Sequence, residues 1–235
     1  MKIVIMSKGR SDTIAKRSLR LFPDALVCVG EDEAELYARH TSNLLVHPSE
    51  VTGTARTRNW ILDNVDDPLL CMVDDDIHAC TSRVGFKVRQ IRDPAQVAAI
   101  VERAAICAVD AGIGVFGFGH AANPIHYYPY RPIVFNTWVG TVFGVTNRDL
   151  RFDERLTLHD DLDFCLQAML RHRIVWTDNR YHFSHDLFKG HGGNAVYRSS
   201  ERHQREIALI KSKWGGHVEV KEAKGTVRLV LHVDR

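Results

Sequence analysis

The chain has 235 residues, 45% of them hydrophobic and 26% charged, with a formal net charge of +2 at pH 7. That balance belongs to a soluble globular protein large enough for one sizeable core, and no apolar run approaches the roughly 20 residues a helix needs to cross a bilayer. The five cysteines (Cys28, Cys71, Cys80, Cys107 and Cys165) are scattered, odd in number, mostly in apolar contexts and without a Cys-x-x-Cys pair, which fits reduced core thiols better than a disulfide framework or a zinc site.

In chain order, Lys2–Met6 (KIVIM) predicts a first strand, and its apolar segment is too short for a signal peptide, so a cytoplasmic protein is expected. A loop over 7–11 precedes a helix from about 12 to 21, capped by Ser11 or Asp12. A strand over 25–29, a helix over 31–39, a short strand over 44–47, a helix over 55–64 and a strand over 69–73 follow. Strands alternating with helices at this spacing predict βαβ units and an α/β fold on a mostly parallel sheet. Ligands in such sheets bind at the carboxyl ends of the strands, and the loops there, SKGR, GEDE, PSEVTGTARTRN and DDDIHAC, are all polar.

A long helix is expected from about 93 to 111, then an irregular segment rich in Gly, Pro and Tyr, and a strand within TWVGTVFGV. Apolar residues at 162, 165, 166, 169 and 170 predict a helix with Asp160, Asp161 and Asp163 in its first turn, where carboxylates favour the helix dipole. The strand IVWTD, the His- and Gly-rich loop YHFSHDLFKGHGGN, a helix over 199–214 and a strand TVRLVLHV complete the chain. With no internal repeat, one domain is expected, its first half (about 1–110) binding a nucleotide and its second (about 111–235) an acceptor, with a C-terminal extension.

Charge is unevenly spread. Residues 1–167 hold 18 Lys and Arg against 22 Asp and Glu, whereas residues 168–235 hold 13 against 7, a net +6. An acidic body and a basic later segment suit a metal centre beside a polyanionic partner, although a basic face can also be plain solvation.

Four sets of residues carry candidate chemistry. Asp74, Asp75 and Asp76 end an apolar strand; adjacent carboxylates repel, and hard divalent cations such as Mg2+ or Mn2+ take oxygen ligands of this kind. GTARTRN places Arg56, Arg58 and Asn59 at a helix start, where arginines and exposed N–H groups suit nucleotide phosphates. HDDLDF offers a carboxylate that could act as general base, against the plainer reading of an acidic helix cap. His182, His185 and His191 flank glycines that would let backbone approach a phosphate, and an imidazole can join a Mn2+-type site.

Together IVIMSKGR, GTARTRN, VDDDI and HDDLDF resemble the motifs of GT-A fold glycosyltransferases, over roughly residues 2–195. VDDDI stands in the place of that family's DxD motif, and HDDLDF resembles its Glu-Asp motif with Asp160 replacing Glu. The resemblance implies that Asp74 and Asp76 bind ribose and metal with Asp75 assisting, and that Arg10, Arg56 and Arg58 hold the nucleotide. It further implies that Asp161 deprotonates the acceptor hydroxyl and that His185 completes the metal shell.

ARTRNWIL ahead of CMVDDDI, and the later KGHGGNAVYRSSERHQREIALIKSKWG, are similar to a narrower group, the TET-associated glycosyltransferases of bacteriophages. That likeness implies a UDP-sugar donor, a Mn2+ or Mg2+ cofactor and 5-hydroxymethylcytosine in phage DNA as acceptor. HYYPYRP (126–132) offers aromatic faces and an arginine that would suit an extruded base, or it is a rigid packed loop. Two other functions fit the same residues: a GT-A enzyme acting on a carbohydrate or protein hydroxyl, and a sugar-nucleotidyltransferase or nucleotide-binding module.

Overall fold

The structure is a computed structural model that describes residues 1–85, 87–185, 199–223 and 226–232. In chain order the first half comprises β1 (Lys2–Met6), α1 (Ser11–Ile14), α2 (Ser18–Leu21), β2 (Leu26–Gly30), α3 (Ala34–Tyr37), β3 (Leu44–His47), α4 (Thr54–Asn64), β4 (Leu70–Asp74), β5 (Ile77–Ser82), β6 (Arg89–Ile91) and α5 (Pro94–Asp110). The second half comprises β7 (Val115–Phe118), β8 (Ile133–Val134), β9 (Val142–Val145), α6 (Asp160–His172), β10 (Trp176–Asp178), β11 (Tyr181–His185), α7 (Ser200–Trp214), β12 (Val218–Ala223) and β13 (Thr226–Leu231).

The central sheet runs β3-β2-β1-β4-β9-β7-β10-β8. Its first four strands are parallel, as βαβ spacing requires, while β9 runs antiparallel to both β4 and β7 and β8 antiparallel to β10. Alternation along each strand divides the core in two. On β4, Cys71 and Val73 join one buried cluster with Val97, Val101, Ala104 and Ala108 of α5. Leu70 and Met72 join the opposite cluster with Ile61 and Leu62 of α4 and Phe164, Cys165 and Met169 of α6.

Two expected helices are shorter, and three stretches expected as loop or irregular contain strands: β5 in DDDIHAC, β7 in the Gly-rich segment after α5, and β11 at the start of YHFSHDLFKGHGGN. The helix expected over 12–21 is broken into α1 and α2, because the buried Ser18 is taken up by tertiary bonds: its hydroxyl donates to the Asp74 carbonyl at 2.6 Å and accepts from the Ile77 N–H at 3.0 Å. The helix expected over 31–39 contracts to the single turn of α3. DDDIHAC, expected as a loop, becomes β5 after the turn, paired antiparallel with β11 and β6 in a second sheet. A third pair, β12 with β13, lies beyond α7. The helices α4, α5, α6 and α7 lie within a residue or two of their expected positions. No helix among the described residues is long and apolar enough to cross a membrane.

Candidate active site

The chain leaves β1 towards β2 and β3 and returns on the other side of β1 as β4, so the order of the parallel strands reverses between β1 and β4. Crevices at the carboxyl ends of strands beside such a reversal bind ligands. The residues delivered there are Ser7 to Arg10 after β1 and the triplet Asp74, Asp75 and Asp76 at the end of β4.

The three acids meet different partners, Asp74 at the end of β4 and Asp75 and Asp76 in the turn that follows it. Asp74 continues the Leu70–Met72 series towards α4 and α6, and its Oδ1 lies 3.7 Å from Arg58 Nη2. Asp75, 5% exposed, accepts from Arg10 Nη1 at 2.5 Å and from Ser7 Oγ at 2.6 Å. The Ser7 hydroxyl also bonds the Tyr37 hydroxyl at 2.7 Å, and the Arg10 backbone N–H donates to that phenol at 3.0 Å. Asp76 accepts from Arg10 at 3.3 Å through Oδ2, while its Oδ1 is buried with no hydrogen-bond partner among the described residues.

Arg58 is the crossing point of the site. Its guanidinium is buried, lies 5.1 and 5.4 Å from the ring centroids of Phe143 and Phe152, and donates from Nη1 to Asp160 Oδ2 at 2.7 Å. A buried arginine of this kind is tolerated because two carboxylates and two aromatic faces replace its water. Gly53, with φ at +91°, turns the chain into α4 in a conformation that favours glycine. The other polar residues of that first turn diverge from Arg58. Arg56 Nε donates to Glu154 Oε2 at 3.1 Å, and Asn59 bonds Glu154 and the Phe152 backbone.

The first turn of α6 carries Asp160, Asp161 and Asp163. Asp160 is buried against Arg58, whereas Asp161 is half-buried and accepts its neighbour Leu162 N–H through Oδ1 at 2.7 Å. Gly140 leaves the space that Asp161 occupies: a Cβ there would sit 2.8 Å from Asp161 Oδ2 and 3.1 Å from the Trp138 ring. Trp138 in turn packs on His120, with ring centroids 4.0 Å apart.

Burial dominates the ionisation of this set. It pushes Asp74 up to about 8, with Arg58 opposing and the neighbouring Asp76, Asp75 and Asp161 reinforcing the shift. It pushes Asp160 up to about 7 against the pull of Arg58, with the charge of Asp161 adding to it. Asp161 is likewise raised by burial with Arg58 opposing, and Asp75 is raised by burial against Arg10 and Ser7. Carboxyl groups that exchange protons near neutral pH, gathered in a crevice, are suited to acid–base chemistry or to taking up a cation.

The three candidate histidines separate. His182 is buried, its Nδ1 lies 2.9 Å from the Gly119 carbonyl, and burial lowers its pKa, so it is a packed structural residue. His185 ends β11 at a bulge, where the register passes from Ser184 opposite Ala79 to His185 opposite Ile77, the residue after Asp76. Its Nδ1 is buried without a partner among the described residues. His191 lies outside the described residues.

His185 thus pairs in register with the residue that follows Asp76, and each of these two side chains has one buried polar atom without a partner among the described residues; carboxylate oxygen and imidazole nitrogen are donor types that a hard or borderline divalent cation takes. Among the described residues no group of three or more His, Cys, Asp or Glu side chains is arranged to hold a metal, so any such ion would draw its remaining ligands from substrate and water. Sequence reading missed Tyr37, Trp138, Gly140 and His120; nothing local distinguishes them, because each acts through a neighbour brought in by the fold.

A family model described as TET-Associated Glycosyltransferase matches residues 1–193. Among solved structures, glucosyl-3-phosphoglycerate synthase from Mycobacterium tuberculosis in complex with Mg2+ and UDP is similar, with a TM-score of 0.57 and 11% identity over 98% of this chain and 86% of that one. TarS 1-349 from S. aureus in complex with UDP-GlcNAc gives a TM-score of 0.52 and 18% identity over 91% of this chain and 66% of that one. The chain thus spans just under two thirds of the TarS chain it matches. At these identities the likeness is one of fold, and the fold is the GT-A architecture expected from the sequence. No curated protein sequence matches the chain.

Proposed function

The chain belongs to the TET-associated glycosyltransferase family, and from that premise we propose that it transfers a sugar from a UDP-sugar to the hydroxyl of 5-hydroxymethylcytosine in DNA. The observation that supports this reading is Arg58, which joins the strand-end acid Asp74 to the helix-start acid Asp160, the neighbour of Asp161. UDP or a UDP-sugar occupies the solved structures similar in fold, which supports the donor class.

In this reading the donor lies over the carboxyl ends of β1 and β4. Arg10, aligned by Asp75 and the Tyr37 hydroxyl, faces the nucleotide together with Asp74, while Arg56 and Asn59 flank the entrance from α4. Asp161 is the general base. It takes the proton of the acceptor hydroxyl as that oxygen forms its bond to the anomeric carbon; the bond from that carbon to the phosphate oxygen breaks, and its electron pair leaves with UDP. Burial raises the pKa of this base, which strengthens its hold on the transferred proton, and Asp160, held by Arg58, keeps the turn in place. A divalent cation, Mn2+ or Mg2+, held by Asp76 and His185 with donor phosphate oxygens, would neutralise charge on the leaving diphosphate.

The acceptor assignment draws on the exposed segment between β7 and β8. Tyr128 and Tyr130 are exposed, with rings 5.7 Å apart, on the segment between β7 and β8. Arg83 braces the start of that segment, donating to the Ala121 and Asn179 carbonyls beneath the Tyr127 ring. Paired aromatic faces suit an unstacked base, and the net +6 of residues 168–235 suits phosphates.

The test is incubation with Mn2+, a panel of UDP-sugars and DNA containing 5-hydroxymethylcytosine, followed by nucleoside mass spectrometry. A hexose-mass gain that is lost in Asp161→Asn supports the reading. Release of UDP that depends on Asp76 without labelled DNA would move the acceptor to a carbohydrate or protein hydroxyl.

A further inference from the structure

Helix α7 lies outside the residues matched by the family model, yet it makes a dense set of polar contacts with the turn that carries Asp160 and Asp161. Glu206, 4% exposed, accepts the Thr157 N–H at 3.0 Å through Oε1, and the Leu158 and His159 N–H groups at 2.8 and 3.2 Å through Oε2. These are the three backbone donors leading into α6, whose N-cap residue His159 makes no side-chain capping bond of its own. A carboxylate supplied by another helix therefore fixes the backbone that enters α6, upstream of the first-turn N–H groups that a capping side chain ordinarily serves.

The far side of the same turn is tied to α7 as well. Asp163, fully buried, accepts from Trp214 Nε1 at 2.7 Å and pairs with Lys213 Nζ at 2.8 Å. His159 Nε2 and His203 Nδ1 are 3.0 Å apart, and Arg202 donates to Thr157 Oγ1 at 3.1 Å. Beneath these bonds Ile210 packs in one buried cluster with Leu156, Leu162 and Leu166. The first turn of α6 is thus gripped on both sides of Asp161, and the two acids between the grips meet Arg58 and the space left by Gly140.

We propose that Glu206 is a positioning residue for transfer: by binding the three N–H groups that enter α6 it sets the location of Asp161 relative to the acceptor hydroxyl, without itself touching either substrate. The reading rests on Asp161 as the base. Its physical basis is that displacing a reacting group by about 1 Å costs on the order of a hundredfold in rate. Loss of one grip frees backbone on the acceptor side and leaves Ser7, Arg10, Tyr37 and Asp75 on the donor side untouched.

The experiment compares the full chain with Glu206→Ala, Glu206→Gln and, as a control on the exposed face of α7, Arg205→Ala. Turnover is normalised to the number of UDP-binding sites titrated in each preparation, and backbone amide exchange is followed over residues 156–163. The expected result is a fall in kcat per UDP site of roughly a hundredfold for Glu206→Ala. Glu206→Gln, which keeps one accepting oxygen, falls by a smaller factor. The donor KM stays within about twofold, amide exchange rises over 156–163 but not over β4, and Arg205→Ala matches the parent.

A merely structural role would lower the number of UDP sites and leave kcat per site unchanged. The proposal is overturned by unchanged kcat per site in both Glu206 variants, by a donor KM that rises in step with the loss, or by unchanged exchange over 156–163. If the parent chain labels no hydroxymethylated DNA, the acceptor reading fails on its own; the positioning role is then decided by the exchange data and by UDP release from the donor.

Discussion

Arg58 and Asp160 stand 102 residues apart in the chain and 2.7 Å apart in the fold, both almost wholly buried. The same guanidinium reaches Asp74, so one cation holds the end of β4 and the start of α6 at a fixed separation. The two carboxylates it serves belong to different halves of the proposed chemistry, the donor edge and the base-bearing turn.

Removing that cation should affect stability and pH dependence together. Arg58→Met leaves Asp160 buried without its partner and is expected to lower unfolding free energy by about 3–5 kcal/mol in denaturant titrations. Asp161 works as a carboxylate, so activity is low below its pKa and rises as pH passes through it; burial already raises that pKa, and Arg58 opposes the rise. The rising limb of kcat against pH should therefore move to higher pH in Arg58→Met, an apparent value shared by the Asp160–Asp161 pair. A limb that stays in place would show that Arg58 does not govern the base.

Cation dependence should trace to two residues on different strands. Turnover is expected to vanish with chelator and return with Mn2+ or Mg2+. Loss of a direct ligand should cost more than the roughly 10–100-fold typical of a supporting partner, so the cation midpoint should rise by at least about tenfold in Asp76→Asn and in His185→Ala. His182→Ala, by contrast, should destabilise the β5–β11 pairing without a specific change in the cation midpoint. Equal midpoints in all three variants would remove Asp76 and His185 from the metal site.

Gly140→Ala tests the placement of the base from the opposite wall. The added Cβ would lie 2.8 Å from Asp161 Oδ2, closer than such contacts allow, so the carboxylate must move. The expected outcome is a loss of about a hundredfold in kcat with little change in donor KM. Steady-state kinetics over both substrates distinguish this from a donor defect, which would appear in KM.

Tyr37→Phe tests the donor side. The phenol bonds the Ser7 hydroxyl and accepts the Arg10 N–H, and its loss leaves both without that partner at the edge of Asp75. A cost of about 1–3 kcal/mol in stability is expected, together with a raised donor KM and a nearly unchanged kcat. An unchanged donor KM would detach this network from nucleotide binding.

Much of the architecture was legible in local pattern. The long helix expected from about 93 to 111 is α5, and in the structure the Asp93 side chain accepts the Ala95 N–H at 3.1 Å ahead of Pro94. The strand ending in three aspartates lies where it was expected, as do α4 and α6. The strands β5 and β11 were not legible, because short strands are decided by the neighbour they pair with rather than by their own composition. The break between α1 and α2 was equally hidden, since Ser18 is claimed by backbone of the β4–β5 turn nearly 60 residues away.

The sequence by itself determined an apolar strand that ends in three aspartates, and with it the two-residue alternation that sends Leu70 and Met72 to one layer and Cys71 and Val73 to the other. It also determined that three carboxylates crowd the first turn of α6. Which partners those groups meet was decided only by the tertiary structure. Strand order set Arg10 beside Asp75, the packing of α4 on α6 set Arg58 beside Asp160, and α7 supplied Glu206 to hold the backbone that enters α6. Local periodicity fixes a direction for each side chain, whereas the identity of the group it meets depends on how distant segments bury their apolar faces against one another.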